Sequence, residues 1–333
     1  MVSGELRAPS APGWRSPLRR VEWLLDRSAL GQSAQTAYIR LVLGVLFFAY
    51  GLVLSVLQYR NDTLGPKPVF IVVFSLFLFT NRLGSSIRYL LPIALAIYAY
   101  AAASSYAGEL KLGIHYKPQI ELDRALTLGH GLPTVWLQDH LYNGHTGPLE
   151  AIAVVAYAGH FLVPFLLVSA LIITRKSRSI PLLVFGLMTA SILGDLVFVL
   201  APTAPPWLAE QHGYITGVHH VLKQSLANLH MSTLAAVEGD GSKYDVTAAM
   251  PSLHTAFAVL AFLVARRARM SRFSVGLLGL NLVAVVFSIV YTGEHYVSDA
   301  LAGGLLALVS WRIVLALSAR RAGGEAAAEP QSA

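Results

Sequence analysis

The chain has 333 residues and no cysteine, which excludes disulfides and thiolate metal sites. Hydrophobic residues make up 55%, charged residues only 13%, and mean hydropathy is +0.58, so an ordinary soluble domain is excluded as well. The net charge of +7 accompanies runs approaching the ~20 residues that cross a bilayer; it reads as membrane orientation, and no nucleic-acid partner is expected.

In chain order, residues 1–36 hold Pro, Ser and five arginines and read as a cytosolic basic tail, with an interfacial helix near 17–30. A short apolar core followed by a small-residue cleavage site is absent, so no signal peptide is expected. Apolar spans are predicted at 38–58, 68–81, 87–107, 150–173, 180–200, 251–266, 274–293 and 297–318. The second is short and flanked by Pro66 and Pro68, which allows a re-entrant segment. The fold class is therefore all-α, a polytopic membrane bundle of about eight transmembrane helices. N-terminal transmembrane helices occupy 37–107, the catalytic membrane domain 108–318 and a disordered cytosolic tail 319–333.

With the N-terminus inside, 18 of the 25 Lys and Arg fall on inner segments. That bias supports cytosolic termini and an outward-facing active site; the plasma membrane is the expected location. All eleven histidines then lie on the outer side or in the outer half of a span. Of two long outer loops, 108–149 carries apolar residues at helical spacing and reads as short surface helices, whereas 201–250 opens with a rigid turn, Pro202 to Trp207, and closes with a turn at Gly239 to Ser242. Trp207, Tyr291 and Tyr296 read as interface anchors.

The chemistry gathers in Met250-Pro251-Ser252-Leu253-His254 and His295-Tyr296-Val297-Ser298-Asp299. Asp299 follows His295 by four positions, so on one helix face the carboxylate can hold one ring nitrogen and leave the other to attack. His254 stands where it can protonate a leaving oxygen. Ser252 opens a helix whose N-terminal amides could receive a phosphate. Spans six and eight run in the same direction, which brings both histidines to one depth. His160 and Asp195 lie inside apolar spans, where an ionisable group is costly and points to a substrate cavity. Arg124 and Lys223 are the outer cations best placed, beside apolar residues, to neutralise a phosphate. No metal and no cofactor is expected.

Pro251-Ser252-Leu253-His254 and His295-x3-Asp299 resemble the second and third motifs of the type 2 phosphatidic acid phosphatase (lipid phosphate phosphatase) superfamily. In its usual form the first motif is Lys-x6-Arg-Pro and the third begins Ser-Arg. Here the corresponding positions are Gly194, Ala201 and Ile289, so all three cations are missing. Pro202 to Trp207, the run Thr292 to Asp299 and His160-Phe161-Leu162-Val163-Pro164 resemble the inositolphosphotransferase, or inositol phosphorylceramide synthase, branch more closely.

The resemblance implies a six-helix phosphatase-type catalytic core and a metal-independent double displacement. His295 would be the nucleophile forming a phosphohistidine, Asp299 its orienting group and His254 the acid and base. It implies a membrane phospholipid or lipid-linked phosphate as substrate and an inositol or lipid hydroxyl as acceptor, with no obligate protein partner. A lipid phosphate or polyprenyl (di)phosphate phosphatase is the alternative, and a non-catalytic, transporter-like scaffold the alternative of another class.

Overall fold

The computed structural model describes residues 34–61, 75, 113–232, 235 and 248–327. Its helices are α1 (Ala34–Arg60), α2 (Lys117–Leu126), α3 (Pro133–Leu141), α4 (Pro148–Ile173), α5 (Ile180–Leu200), α6 (Pro206–Gln211), α7 (Val221–Asn228), α8 (Leu253–Arg267), α9 (Arg272–Tyr291) and α10 (Val297–Ala327). A 3-10 turn, Ser177–Ser179, precedes α5. Among the described residues the β structure amounts to isolated bridges, His115 to Thr203 and Thr203 to Ala248. The expected tail helix at 17–30 and, Ser75 apart, the runs at 68–81 and 87–107 lie outside the described residues.

The remaining six apolar runs all fall on helices, but not all are long enough to cross. Ser177–Leu200, Arg272–Tyr291 and Val297–Arg320 are long and apolar enough to span a membrane. Helix α4 adds a fourth span if its halves, Pro148–His160 and Leu162–Ile173, bent by 63°, count as one. Pro164 gives a physical reason for that bend, because it has no N–H for the His160 carbonyl and its ring crowds that carbonyl. The apolar part of α1 is only Val45–Arg60. Helix α8 has 15 residues, a rise of about 22 Å against a ~30 Å hydrocarbon core. The described residues thus hold three or four candidate spans where the sequence suggests about eight in the whole chain. Hydropathy extended the run at 251–266 through Pro251 and Ser252, which end a loop and cap a helix.

At the other end, α10 continues past 318 to Ala327, where the sequence suggested a disordered tail. Alanine, arginine and glutamate after Ser318 are good helix formers and carry the helix through Gly323 and Gly324.

Helix α8 is the axis of the bundle. It packs against α4, α5, α9 and α10, and Ala256, Phe257, Leu260, Ala261, Val264 and Ala265 are all buried. Small residues permit this approach. A Cβ on Gly186 of α5 would stand 3.3 Å from Leu260 Cδ2, and one on Gly194 would stand 2.9 Å from Leu253 Cδ2. The surrounding helices turn large apolar side chains outward, among them Ile192 and Leu196 on α5 and Leu277 and Leu280 on α9. Lipid-facing helices have this inverted look, since their backbone is satisfied internally and the solvent is hydrocarbon.

Both α4 and α8 end on a left-handed arginine, Arg175 with φ 58 and Arg269 with φ 50. The Lys176 N–H donates to the Leu171 carbonyl and the Met270 N–H to the Ala265 carbonyl, the closing bonds of the Schellman motif. Glycine is the usual residue there; a residue with a Cβ costs roughly 1–2 kcal/mol.

Candidate active site

The first half of the site is the entry to α8. The Met250–Pro251 peptide is cis, and Ser252 caps the helix by accepting from the Thr255 N–H at 3.4 Å. The Ser252 N–H donates to the Asp299 carbonyl at 3.0 Å, so the start of α8 is bonded to the first turn of α10. Close contact with α10 requires Gly303, because a Cβ there would fall 2.1 Å from the Ser252 carbonyl oxygen. His254 follows as the second residue of α8 and is buried.

The second half is the turn between α9 and α10. Gly293 takes φ +85 where a Cβ would come 3.0 Å from the His219 carbonyl. The His295 N–H then donates to the Ile289 carbonyl at 2.9 Å, which folds the chain back over the end of α9. Helix α10 begins only at Val297, so His295 and Asp299 do not share a helix face, as their spacing suggested. Asp299 instead reaches back along its own first turn and accepts from the Tyr296 N–H at 2.9 Å, half of a capping box. Buried Asp123 of α2 covers the next two amides, accepting from Val297 at 2.9 Å and Ser298 at 2.8 Å. Two carboxylates therefore close the positive end of α10.

The two halves bring the imidazoles together. His295 Nε2 lies 3.2 Å from His254 Nδ1. His295 Nδ1 lies 2.8 Å from the Ala249 carbonyl and 3.5 Å from Asp299 Oδ2. A carbonyl can only accept, so Nδ1 of His295 carries the proton and donates, and in the neutral ring Nε2 keeps its lone pair. His254 Nδ1 is then the donor in the contact between the rings. The orienting group nearest the nucleophile candidate is a backbone carbonyl, with the carboxylate behind it. His254 Nε2 and Asp299 Oδ1 are buried and accept or donate no hydrogen bond.

His160 completes a cluster of three imidazoles, its ring centroid 3.9 Å from that of His254, with Nδ1 donating to the Tyr157 carbonyl at 2.5 Å. Tyr157 itself packs on His254 at 4.5 Å between centroids. Asp195 is half-buried on α5 beside Gly194, which touches Leu253 next to His254. Ser252 is fully buried as the cap of α8. Arg124 and Lys223 are exposed on α2 and α7, and neither forms a hydrogen bond or ion pair to the imidazole cluster. Their helices do dock through apolar residues, Ile120 against Tyr296 and Leu222 and Leu226 against Val154.

Trp207, Tyr291 and Tyr296, expected as interface anchors, are buried instead. Trp207 stacks on His220 at 4.3 Å, and His220 Nε2 bonds Glu294 Oε1 at 2.8 Å. The Tyr291 hydroxyl donates to Glu150, whose other oxygen accepts from the Gly147 N–H. Gln138 fastens the His219 backbone to the Tyr291 carbonyl, through bonds of 2.7 to 3.0 Å. Sequence reasoning passed over Asp123, Gln138, Glu150 and the His220–Glu294 pair. Each is a polar residue on a short loop helix or helix end, where exposure is the ordinary expectation.

The positions where the usual motif carries cations serve packing here. Gly194 accommodates Leu253, and Ile289 is fully buried with Val285 and Ala258. A long basic side chain at either would displace α8 from its neighbours.

Residues 117–313 match the family model described as the PAP2 superfamily. A phosphoinositol dihydroceramide synthase from Bacteroides thetaiotaomicron is 24% identical over 172 residues, 50% of this chain and 56% of the relative. The match thus spans about half the length of each. No solved structure matches the chain significantly. The match to the family model covers more than half of the sequence and includes both histidine motifs, so the protein, with its long apolar helices an integral membrane protein, belongs to the PAP2 superfamily.

Proposed function

We propose that the protein moves a phosphate-bearing head group from one membrane lipid to a hydroxyl acceptor, through a phosphohistidine on His295, at the outer membrane face. The observation that carries the reading is the contact of 3.2 Å between His254 Nδ1 and His295 Nε2, with His295 Nδ1 already committed to the Ala249 carbonyl. That arrangement leaves one lone pair for attack and one neighbouring N–H for the leaving group.

In the first step His295 Nε2 forms a bond to phosphorus, and the bond from phosphorus to the lipid alcohol oxygen breaks. His254 donates the proton that the departing alkoxide needs. In the second step the acceptor hydroxyl gives its proton to His254, its oxygen bonds phosphorus, and the N–P bond breaks. Asp299 offsets the positive charge that His295 carries while phosphorylated. Ser252, His160, Asp195, Arg124 and Lys223 are proposed to hold the head group.

The similarity to a phosphoinositol dihydroceramide synthase favours a transferase that uses an inositol-phosphate head group and a ceramide-like hydroxyl over a phosphatase. The deciding experiment is a product assay on purified protein with mixed phospholipids, with and without a ceramide-like acceptor. A new phospholipid formed only with acceptor supports the transferase. Release of free phosphate instead assigns a phosphatase, and no turnover of any lipid phosphate refutes the proposal.

A further inference from the structure

Helix α8 carries the histidine cluster at one end and concentrated positive charge at the other. Arg175, Lys176, Arg178, Arg267 and Arg269 line an open cavity of about 610 Å³ between the end of α4, the 3-10 turn and the end of α8. No acidic residue lines it, and the segments 174–179 and 266–272 contain no Asp or Glu. The helix rises about 20 Å between His254 and Arg267, so this cavity and the imidazoles are separate places.

Attraction to helix C-termini explains basic residues in the last turns. It does not explain why the two ends are fastened together, with Lys176 Nζ donating to the Arg269 carbonyl. Five like charges held around one concavity repel each other unless an anion sits among them. Exposed apolar side chains adjoin these segments in the chain: Ile173, 67% exposed, precedes Arg175 by two positions, and Phe273, 80% exposed, follows Arg269 by four. A phosphate with acyl chains attached suits cations beside exposed hydrocarbon.

We propose that this cavity is a second phosphate site, remote from the histidines, that holds the head group of an anionic lipid. Full-length protein in detergent is titrated with phosphatidylglycerol, with phosphatidylcholine as the neutral control, and bound lipid is read by native mass spectrometry. The variants are R175G/R269G and His295→Ala. Glycine relieves the left-handed strain, so a purely structural role predicts a higher Tm and unchanged lipid retention. The proposal predicts a Tm no lower than wild type together with a roughly thirtyfold loss of phosphatidylglycerol affinity, and full retention by His295→Ala. Wild-type affinity in the double variant, or loss in His295→Ala instead, overturns it. Inorganic phosphate serves as competitor. Lipid that stays bound supports the lipid assignment, whereas displacement at matching concentration assigns the cavity to soluble phosphate and overturns the lipid source.

Discussion

His254 Nδ1 and His295 Nε2 stand 3.2 Å apart, close enough to share a proton and too close to admit a phosphoryl group between them. An attacking nitrogen needs about 3–3.5 Å to phosphorus, so the rings must part when substrate enters. His295→Ala removes the proposed attacking nitrogen and is expected to abolish turnover. With a lipid radiolabelled in its phosphate, the wild type should show a protein-bound label stable to alkali and labile to acid. His254→Ala should retain that label while turnover falls on the order of 10²- to 10⁴-fold, since only proton transfer is lost. Label on protein lacking His295 would place the nucleophile elsewhere.

Asp299→Asn separates two roles that the spacing of the motif merges. The Ala249 carbonyl at 2.8 Å keeps the proton on His295 Nδ1 whether or not Asp299 is charged. An asparagine can also accept from the Tyr296 N–H. What is lost is the negative charge 3.5 Å from a ring that would become cationic in the proposed phosphohistidine. Turnover is therefore expected to fall on the order of tenfold to a hundredfold, well short of His295→Ala. Steady-state kcat for the two variants checks this; equal losses would make the carboxylate indispensable to the nucleophile.

Much of this site was legible in the chain because its parts are local. Pro251-Ser252 before an apolar run predicted the start of α8, and the long apolar runs predicted α5, α9 and the start of α10 within a few residues. The non-local parts were not legible. Asp123 is separated from Val297 by 174 positions, and its neighbours gave it the polar face of a surface helix. The Ala249 carbonyl has no side-chain signature at all. The i,i+4 reading of His295 and Asp299 assumed that the helix had already begun, whereas Gly293 turns the chain and delays it to Val297. Arg124 and Lys223 followed from charge and exposure, which say nothing about the direction of the head group.

Asp123 is predicted to matter for stability before chemistry. Fully buried, it accepts from two consecutive amides of α10 that have no intrahelical partner. Asp123→Ala leaves both amides buried without acceptors and should destabilise the protein by about 2 kcal/mol. Asp123→Asn keeps one acceptor and should lie between. Thermal unfolding in detergent measures the order; a neutral Asp123→Ala would show that water or lipid takes over the cap.

Gly303 and Gly304 offer a paired test of the contact that joins the two halves of the site. A Cβ on Gly303 would stand 2.1 Å from the Ser252 carbonyl oxygen and 3.2 Å from Thr255 Cβ, whereas one on Gly304 meets nothing within 4 Å. The Ser252 carbonyl is backbone and cannot rotate aside, so Gly303→Ala must push α10 away from the start of α8. That movement strains the bond from Ser252 to the Asp299 carbonyl and shifts His254 relative to His295. A misplacement of about 1 Å can cost on the order of 10²-fold in rate, and overpacking costs about 1–3 kcal/mol. Gly304→Ala should keep full activity and gain slightly in stability, since alanine is the better helix former. Measuring kcat and Tm for both variants decides the point: if Gly303→Ala behaves like Gly304→Ala, the two halves are not held at the spacing described and the imidazole contact loses its support.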